Sequence, residues 1–518
     1  MSFISRCLRR IDIARTIRQA ALILLVISAA DSEVRVNAAE LLAGVARVDI
    51  TDPDAKPAND PLWVKALVLK SGDTTAVIVT VDAVAIEEIG RITKPYLETV
   101  RSALKQDLKI APENVLVNAS HCHGYVCADV DQRTIQAVKM AAERLVPVRA
   151  GAGVGQEIRI MENRRLRLKD GREHDMRRAY SMPADADVAG IGPVDPEIGL
   201  LRLDRSDGTP LAVLYNFACH PIHGVPNGGN TADFPGFASR VIEENLGSDV
   251  MAFFIQGCAG DINPLNYKGV LNPPDCEPYG NLLGLSALRA LRTITTKPDA
   301  NLKVINQTLQ LPRAADMENR IAAMQSEQAR LLRSLSPTTL NFKTFLPLYI
   351  QYKVSDDYPL FYSHRYLREK SLGQENLARF DQENRALMDT YVRNIHTMEQ
   401  LTILQTNLDL LRKNLAKNVA AGKDTIDVEV AGIRVGEFAM ITFPGELTVE
   451  IGLNIKNVAP LPLTFVAGYT NGYIYYTPTV AQRNNSGYAQ EDCDCIVAPE
   501  WQKLFEDRAA VILKSLSN

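Results

Sequence analysis

The chain has 518 residues, of which 46% are hydrophobic and 23% are charged, and its formal net charge is -4. A chain of this length and composition can bury a large core. The charge balance, with no basic stripe, excludes a typical nucleic-acid-binding protein.

The N-terminal segment has the pattern of an export signal. Arginines dominate residues 1–19, and an apolar run follows at residues 20–30. The run is shorter than the roughly 20 apolar residues that span a bilayer, so it favours a cleaved secretory signal over an anchor. We therefore expect a signal peptide at residues 1–38 and a periplasmic or secreted protein. Loss of Cys7 with that signal leaves an odd number of cysteines, so at least one thiol stays unpaired.

Strand and helix patterns alternate over residues 41–310. Short runs of apolar and β-branched residues predict buried strands at residues 76–81, 114–120, 211–217 and 250–255. Helical spacing occurs at residues 90–108 and 132–146. The alternation predicts an α/β fold with layered, mixed sheets and flanking helices.

Residues 315–420 have a different pattern. Long polar and apolar stretches at residues 317–335 and 367–417 predict a helical insert, which is either a surface elaboration or a lid or partner surface. The strand pattern returns at residues 426–430, 434–441 and 463–466, and a helix is predicted at residues 499–516. We expect one large catalytic domain, residues 39–518, interrupted by this insert.

Four of the seven histidines lie in two clusters, each directly after a predicted strand. One cluster holds His121 and His123, and the other holds His220 and His223. Residues two apart in an extended segment point to the same side, so His121 and His123 can face one pocket. Polar residues at strand ends are where α/β folds usually build sites.

A carboxylate is available to complete a metal site. Glu446 follows the predicted strand at residues 434–441, on a Pro-Gly turn. Catalytic zinc is commonly held by histidine and carboxylate ligands with one position left open, although manganese or iron would accept the same set. The two histidine clusters with this glutamate favour a metal site over isolated core histidines.

The order of these segments resembles that of the neutral/alkaline ceramidase family. The series comprises the Ser-His-Cys-His, Cys-His-Pro and Pro-Gly-Glu steps together with Gly44-Val45-Ala46-Arg47-Val48-Asp49-Ile50-Thr51, Gln256-Gly257-Cys258-Ala259-Gly260-Asp261-Ile262-Asn263-Pro264 and Asn471-Gly472-Tyr473-Ile474-Tyr475-Tyr476-Thr477-Pro478-Thr479. The resemblance covers most of residues 41–300 and 425–495.

The resemblance implies one zinc ion per chain and assigns its ligands. The implied ligands are His121, His220, Glu446 and Tyr476. Tyr476 comes from the resemblance alone, since its residue type would by itself suggest a packed aromatic.

The same resemblance implies roles around the substrate. It places His123 beside the scissile carbonyl, Tyr488 where it polarises that carbonyl, and Arg164 among the substrate-binding residues. Asn263 stands where the family carries a serine, so we expect it to bind substrate and not to act as a hydroxyl nucleophile. The additional C-terminal immunoglobulin-like domain of ceramidases is expected to be absent.

The expected activity is zinc-dependent hydrolysis of an amide (N-acyl) bond by activated water, with a ceramide-like lipid as one substrate. His123 and Asp233 are candidate general acids, although Asp233 fits a turn or helix N-cap equally well. Asp261 fits either orientation of a ligand histidine or a turn. The alternatives are an amidase or esterase acting on another cell-envelope or lipid substrate, and a non-catalytic secreted binding protein. The expected partners are a small-molecule or lipid substrate and a peripherally contacted membrane.

Overall fold

The computed structural model describes residues 40–176, 182–247, 249–267, 273–298, 301–355, 357–360, 362–486 and 489–518. The signal peptide predicted at residues 1–38 and Tyr488 lie outside these residues. Among the helices of the described ranges, none combines the length and apolar character needed to cross a membrane.

The strands fall into two larger sheets and three small ones. They are β1 (Leu41–Asp49), β2 (Trp63–Ser71), β3 (Thr74–Val81), β4 (Val115–Ala119), β5 (Val146–Gln156), β6 (Met161–Asn163), β7 (Arg165–Leu168), β8 (Glu173–Asp175), β9 (Val188–Ile191), β10 (Glu197–Arg205), β11 (Pro210–Phe217), β12 (Met251–Gln256), β13 (Ile262–Pro264), β14 (Leu302–Pro312), β15 (Thr425–Val435), β16 (Phe438–Thr442), β17 (Glu446–Leu447), β18 (Thr464–Ala467) and β19 (Tyr476–Thr477).

The helices of the described residues flank these sheets or form the insert. They are α1 (Tyr96–Leu108), α2 (Val130–Ala142), α3 (Asp233–Leu246), α4 (Glu277–Leu291), α5 (Met317–Ser334), α6 (Phe342–Val354), α7 (Ser363–Ser371), α8 (Asn376–Ala421), α9 (Val449–Val458), α10 (Val480–Arg483) and α11 (Trp501–Ser517).

An eight-stranded sheet in the order β12-β11-β10-β5-β1-β2-β3-β4 packs against a four-stranded sheet in the order β14-β15-β16-β18. On β11, Val213 and Tyr215 face α3 and α4, whereas Ala212 and Leu214 face the second sheet. Both faces of the strand are therefore buried, which is why it reads as a continuous apolar run. Helices α9 and α11 cover the outer face of the four-stranded sheet. The mixed α/β fold predicted from the sequence is confirmed.

The edge strands β4 and β12 of the large sheet approach each other at their carboxyl ends. Gln256 donates its backbone N–H to Oδ1 of Asn118 at 3.0 Å, and Asn118 donates to the carbonyl of Gly468 at 2.8 Å. Segments that follow three different strands are thereby held together, and these segments carry the predicted site.

The predicted strands at residues 76–81, 114–120, 211–217 and 250–255 match β3, β4, β11 and β12. Two boundaries differ from prediction. The strand break expected between residues 430 and 434 lies instead at Gly436, whose φ of 60° allows the tight turn between β15 and β16. Helix α1 begins only after Pro95, because the preceding residues form turns.

The insert is helical, as predicted, and consists of α5 to α8. Helix α8 contains 46 residues, which corresponds to a length of about 69 Å at 1.5 Å per residue. Near its C-terminal end, Asn414 donates to Oδ1 of Asp494 at 3.0 Å, and the side chain of Lys417 contacts the hydroxyl of Tyr475. The insert is therefore attached to the segment that pairs with Tyr476.

Candidate metal centre

His121 lies directly after β4 and is buried. Its φ of 67° is in the left-handed region, where a residue with a side chain is uncommon. Its Nδ1 lies 2.5 Å from the carbonyl oxygen of Val84, which assigns the ring proton to Nδ1 and leaves the lone pair on Nε2. Backbone strain of this kind is often found at functional sites, where surrounding contacts hold the residue in place.

His220 follows β11 and is held in the same way. Its Nδ1 lies 3.1 Å from the carbonyl oxygen of Ile262, and its backbone N–H also donates to that oxygen at 3.0 Å. The Nε2 atom is therefore the ring nitrogen that faces Glu446. Histidine ligands of metals are usually oriented by such a bond from the other ring nitrogen.

The Nε2 atoms of both histidines point at one oxygen of Glu446. Oε2 of Glu446 lies 3.0 Å from Nε2 of His220 and 3.6 Å from Nε2 of His121. Two ligands placed 2.0–2.1 Å from a tetrahedral zinc ion are themselves about 3.3 Å apart. The three ligand atoms lie within 4.8 Å of one another, and all three residues are buried. This group could hold a metal ion.

Glu446 is positioned by β17, which pairs in parallel with β19 so that Glu446 lies opposite Tyr476. The loop after β12 packs against it through Gly260, whose N–H donates to the carbonyl of Leu447 at 2.8 Å. A side chain at Gly260 would place its Cβ 2.6 Å from the carbonyl oxygen of Glu446. The glycine is therefore required for this close approach.

Two tyrosines that the sequence reasoning missed complete the surroundings of Glu446. The hydroxyl of Tyr469 donates to Oε2 at 3.2 Å, and that of Tyr473 donates to Oε1. The ring of Tyr469 also lies 4.3 Å from that of His121. Tyr473 belongs to the same tail motif as Tyr476, so the motif could have indicated that Tyr473 lies at the site. Tyr469 precedes that motif, and no sequence pattern pointed to it.

The electrostatics suit a bound cation. Burial alone would raise the pKa of Glu446, but the neighbouring His121 and His220 and the hydroxyl of Tyr473 lower it well below its ordinary value. Burial lowers the pKa of His121 to about 4. The glutamate is therefore ionised and His121 is neutral at pH 7, which are the protonation states that metal ligation requires.

Tyr476 lies beside these three residues. Its ring stacks on that of His220, with centroids 6.4 Å apart and an interplanar angle of 22°. On its other side the guanidinium of Arg164 lies 5.5 Å from the ring centroid. The structure thus brings His121, His220 and Glu446 together, with the ring of Tyr476 beside that of His220.

Arg164 and Asn263, both predicted to bind substrate, contact each other. Nη1 of Arg164 donates to Oδ1 of Asn263 at 3.0 Å, and Nε lies 2.6 Å from a carboxylate oxygen of Glu491. Arg164 is only 1% exposed. Burial alone would lower the pKa of Arg164, but the carboxylate of Glu491 raises it above its ordinary value. Arg164 therefore remains charged directly behind Tyr476.

The remaining candidates lie in different surroundings. His123 is exposed, with its ring 5.6 Å from that of His121 in an edge-on arrangement. Partial removal of water from the ring by the surrounding protein, together with the neighbouring His121, lowers the pKa of His123 to about 4. Asp233 is buried at the start of α3, where its carboxylate accepts the backbone N–H groups of Gly224 and Phe234, each at 2.7 Å. Tyr488 is outside the described residues.

Asp261 lies in a turn, the second of its two expected roles, because the backbone N–H of Ile262 donates to the carbonyl of Ala259 at 2.9 Å. Its Oδ1 accepts the backbone N–H of Val449 at 2.8 Å, at the start of α9. Its Oδ2 accepts from Asn163 at 3.2 Å and from Gln482 at 3.3 Å. Asp261 thus joins the loop after β12 to the helix that follows Glu446, while the backbone carbonyl of its neighbour Ile262 orients His220.

Two solved structures share this fold: the neutral ceramidase from Pseudomonas aeruginosa and a ceramidase complexed with C2. Each aligns with a TM-score of 0.57 and 15% sequence identity over 92% of this chain and 75% of the other. No protein-family model and no curated protein sequence matches the chain. The chain therefore has a neutral ceramidase-like fold, in agreement with the order of motifs in its sequence.

Proposed function

We propose that this protein is an exported, zinc-dependent hydrolase that cleaves the amide (N-acyl) bond of a ceramide-like lipid, with residues 39–518 forming its catalytic domain. One observation carries the proposal: the Nε2 atoms of His121 and His220 converge on Oε2 of Glu446, and both Nδ1 atoms lie within hydrogen-bonding distance of backbone carbonyl oxygens. The fold shared with two ceramidases supports the choice of an amide substrate.

The residues present fit a zinc ion. Two neutral imidazoles and one carboxylate are a common catalytic ligand set, and Tyr476 stands beside them as the fourth ligand in this proposal. Zinc held there would polarise an amide carbonyl and lower the pKa of a coordinated water from about 15.7 towards about 7. Tyr469 and Tyr473 hold the carboxylate of Glu446 in the orientation that the ion requires.

The chain's own residues supply the remaining steps. His123 is exposed beside His121, so it can reach a substrate carbonyl. Because it is neutral at pH 7, it would take a proton from the attacking water and pass that proton to the leaving amine. We assign Asp233 to positioning, because its carboxylate already accepts two backbone N–H groups next to the His220 loop. Arg164, whose guanidinium lies over the ring of Tyr476, and Asn263, which accepts a hydrogen bond from Arg164, are proposed to bind substrate. Tyr488, twelve residues after Tyr476 in the sequence, is proposed to polarise the substrate carbonyl.

Metal analysis tests the proposal. The purified protein is expected to hold one zinc ion per chain by elemental mass spectrometry, and its hydrolysis of N-acyl substrates is expected to be abolished by a chelator. His121→Ala and His220→Ala should lose the metal and at least about 100-fold in rate. His223→Ala is the matched control, since this ring packs on Tyr279 at 4.7 Å. A wild-type protein without transition metal, which also takes up none on reconstitution, rules the proposal out.

A second candidate is an amidase or esterase that acts on a different lipid or cell-envelope molecule. Asn263 favours it, because the position carries serine in the family that the sequence resembles and here is occupied by an amide paired with Arg164. A panel of N-acyl and O-acyl lipids, with detection of the released fatty acid, separates the two. Metal binding without turnover of any panel member would instead identify a binding protein.

A further inference from the structure

The tip of the helical insert is a rigid structure formed by α6, α7 and the beginning of α8. The buried carboxylate of Asp381 on α8 accepts hydrogen bonds from the hydroxyls of Tyr352 on α6 and Tyr366 on α7, each at 2.6 Å. Asn384 donates to the hydroxyl of Tyr352 at 2.9 Å. Buried, fully bonded polar groups of this kind fix the helices against one another. These bonds therefore fix the position of α6 relative to α7 and α8.

Helix α6 is apolar on two opposite faces. The inner face packs on α8, where the ring of Phe345 stacks on that of Tyr391 with centroids 4.4 Å apart. The outer face carries apolar residues at four-residue intervals, which places them on one side of a helix. They are Phe342, Leu346, Ile350 and Val354, with exposed fractions of 64%, 41%, 54% and 81%. Together with Tyr349, which is 37% exposed, they are called the tip patch.

An apolar outer face is unusual for a surface helix, which normally has one apolar and one polar face. In the part of the chain that the structure describes, the tip patch remains exposed to solvent. Contiguous exposed apolar surface of this kind marks an interaction site.

Charges around the tip patch indicate the partner. Nζ of Lys353 lies 5.6 Å from the ring centroid of Tyr349, and the guanidinium of Arg365 lies 4.9 Å from that of Tyr362. Lys343 is exposed at the other end of α6. Exposed aromatic and aliphatic side chains flanked by lysine and arginine are typical of helices that lie in a membrane interface, where the cations meet anionic head groups.

The length of α6 is consistent with this position. Its 13 residues are too few to span a bilayer, which requires about 20, so the helix would lie in the plane of the surface. A second copy of the chain is a poorer partner. Lysines stand at both ends of the tip patch, so a symmetric contact would bring lysine against lysine in either direction.

We infer that the tip patch docks the protein on the surface of a bilayer that contains anionic lipid. The inference deepens the proposed function, on which it rests in one respect: an N-acyl lipid substrate resides in a bilayer. Docking through the insert gives helix α8 a defined role, because its N-terminal part belongs to the docked tip and its C-terminal part contacts Tyr475 and Asp494 beside the candidate metal centre.

Co-sedimentation with vesicles tests the inference on the full chain. The wild-type protein is expected to sediment with phosphatidylcholine vesicles that contain phosphatidylglycerol, and more weakly at high salt. Phe342→Ser combined with Ile350→Ser should lower the partition coefficient at least about tenfold. Leu332→Ser combined with Val458→Ser is the matched control, since these side chains are 55% and 74% exposed on other helices. Equal binding by the two double variants would overturn the inference.

A charge variant provides an independent measurement. Lys343→Glu combined with Lys353→Glu should abolish the preference for anionic vesicles without changing the apolar side chains. Light scattering gives the oligomeric state of each protein. A wild-type protein that dimerises through the patch and leaves the vesicles in the supernatant would assign the patch to a second copy and overturn the inference.

The two proposals fail separately. The serine double variant is expected to hydrolyse a soluble short-chain N-acyl substrate at the wild-type rate, because the tip patch is outside the candidate metal centre. Vesicle binding without hydrolysis of any substrate would contradict the proposed function and support docking. Hydrolysis by a wild-type protein that does not bind vesicles would contradict docking and support the proposed function.

Discussion

The hydroxyl of Tyr473 donates a hydrogen bond to Oε1 of Glu446, on the side of the carboxylate that the two histidines do not face. The bond leaves Oε2 directed at the Nε2 atoms of His121 and His220. Since Glu446 is buried, its two oxygens depend on protein donors to hold their orientation. A tyrosine outside the candidate ligand set thereby determines how the carboxylate faces the ion.

Tyr473→Phe should weaken metal binding by about 10- to 100-fold, because an oriented ligand loses the partner that positions it. Competition with a chromophoric chelator at fixed pH measures the affinity. The matched control is Tyr475→Phe, since that hydroxyl contacts Lys417 and not Glu446. An unchanged affinity in Tyr473→Phe would show that the hydrogen bond does not position the carboxylate.

Gly260→Ala should displace the strand that carries Glu446. The added methyl group would lie 2.6 Å from the carbonyl oxygen of Glu446 and 2.9 Å from that of Leu447. We expect a loss of about 1–3 kcal/mol in the free energy of unfolding, together with weaker metal binding. Denaturant titration measures the first quantity. Gly190→Ala should change stability by less than about 0.5 kcal/mol, because nothing lies within 4 Å of its Cβ position.

Asp233→Asn separates positioning from proton transfer. An amide cannot accept both backbone N–H groups that the carboxylate accepts, so we expect a stability loss on the order of 1–3 kcal/mol with kcat for a soluble substrate nearly unchanged. His123→Gln should have the opposite effect, with stability kept and kcat lowered by about 100-fold or more. A comparable loss of kcat in a stable Asp233→Asn protein would identify Asp233 as the general acid.

Asp492 should make the protein more stable as the pH falls from 7 to 4. Burial raises its pKa from 3.8 to about 6, even though Arg165 lies 2.7 Å away. Between these two values the folded state binds more protons than the unfolded state, so stability falls as the pH rises through this window.

The contribution of Asp492 should change by about 2 kcal/mol between pH 4 and pH 7, because the full effect of a shift of about two pKa units is reached only well below the unfolded value. Asp492→Asn removes the titrating group, so the difference in unfolding free energy between wild type and variant should depend on pH. Urea denaturation at a series of pH values measures this difference. A constant difference would mean that the pKa of Asp492 is not raised.

Local sequence was sufficient to predict the elements that are buried on both faces. The run before His121 and the run before His220 are buried almost without interruption and are mostly apolar, because the sheet is covered on both sides. Strand boundaries set by a turn, as at Gly436, were not predicted, since periodicity alone does not report backbone conformation. The long, alternating pattern of residues 315–420 predicted helices but contained no information on how they pack.

The residue pattern was enough to propose a metal site, because histidine and glutamate directly after strands are recognisable by type and order. The choice of His121 and His220 among the histidines, and Tyr476, came from the family resemblance. Tertiary structure decided which atoms of these residues meet. The carbonyls of Val84 and Ile262 accept from the two Nδ1 atoms, so that each Nε2 faces Glu446. The approach of β4 to β12 brings together side chains that are hundreds of residues apart. Periodicity reports the burial of neighbouring residues, whereas these contacts depend on the packing of two sheets, which no local pattern encodes.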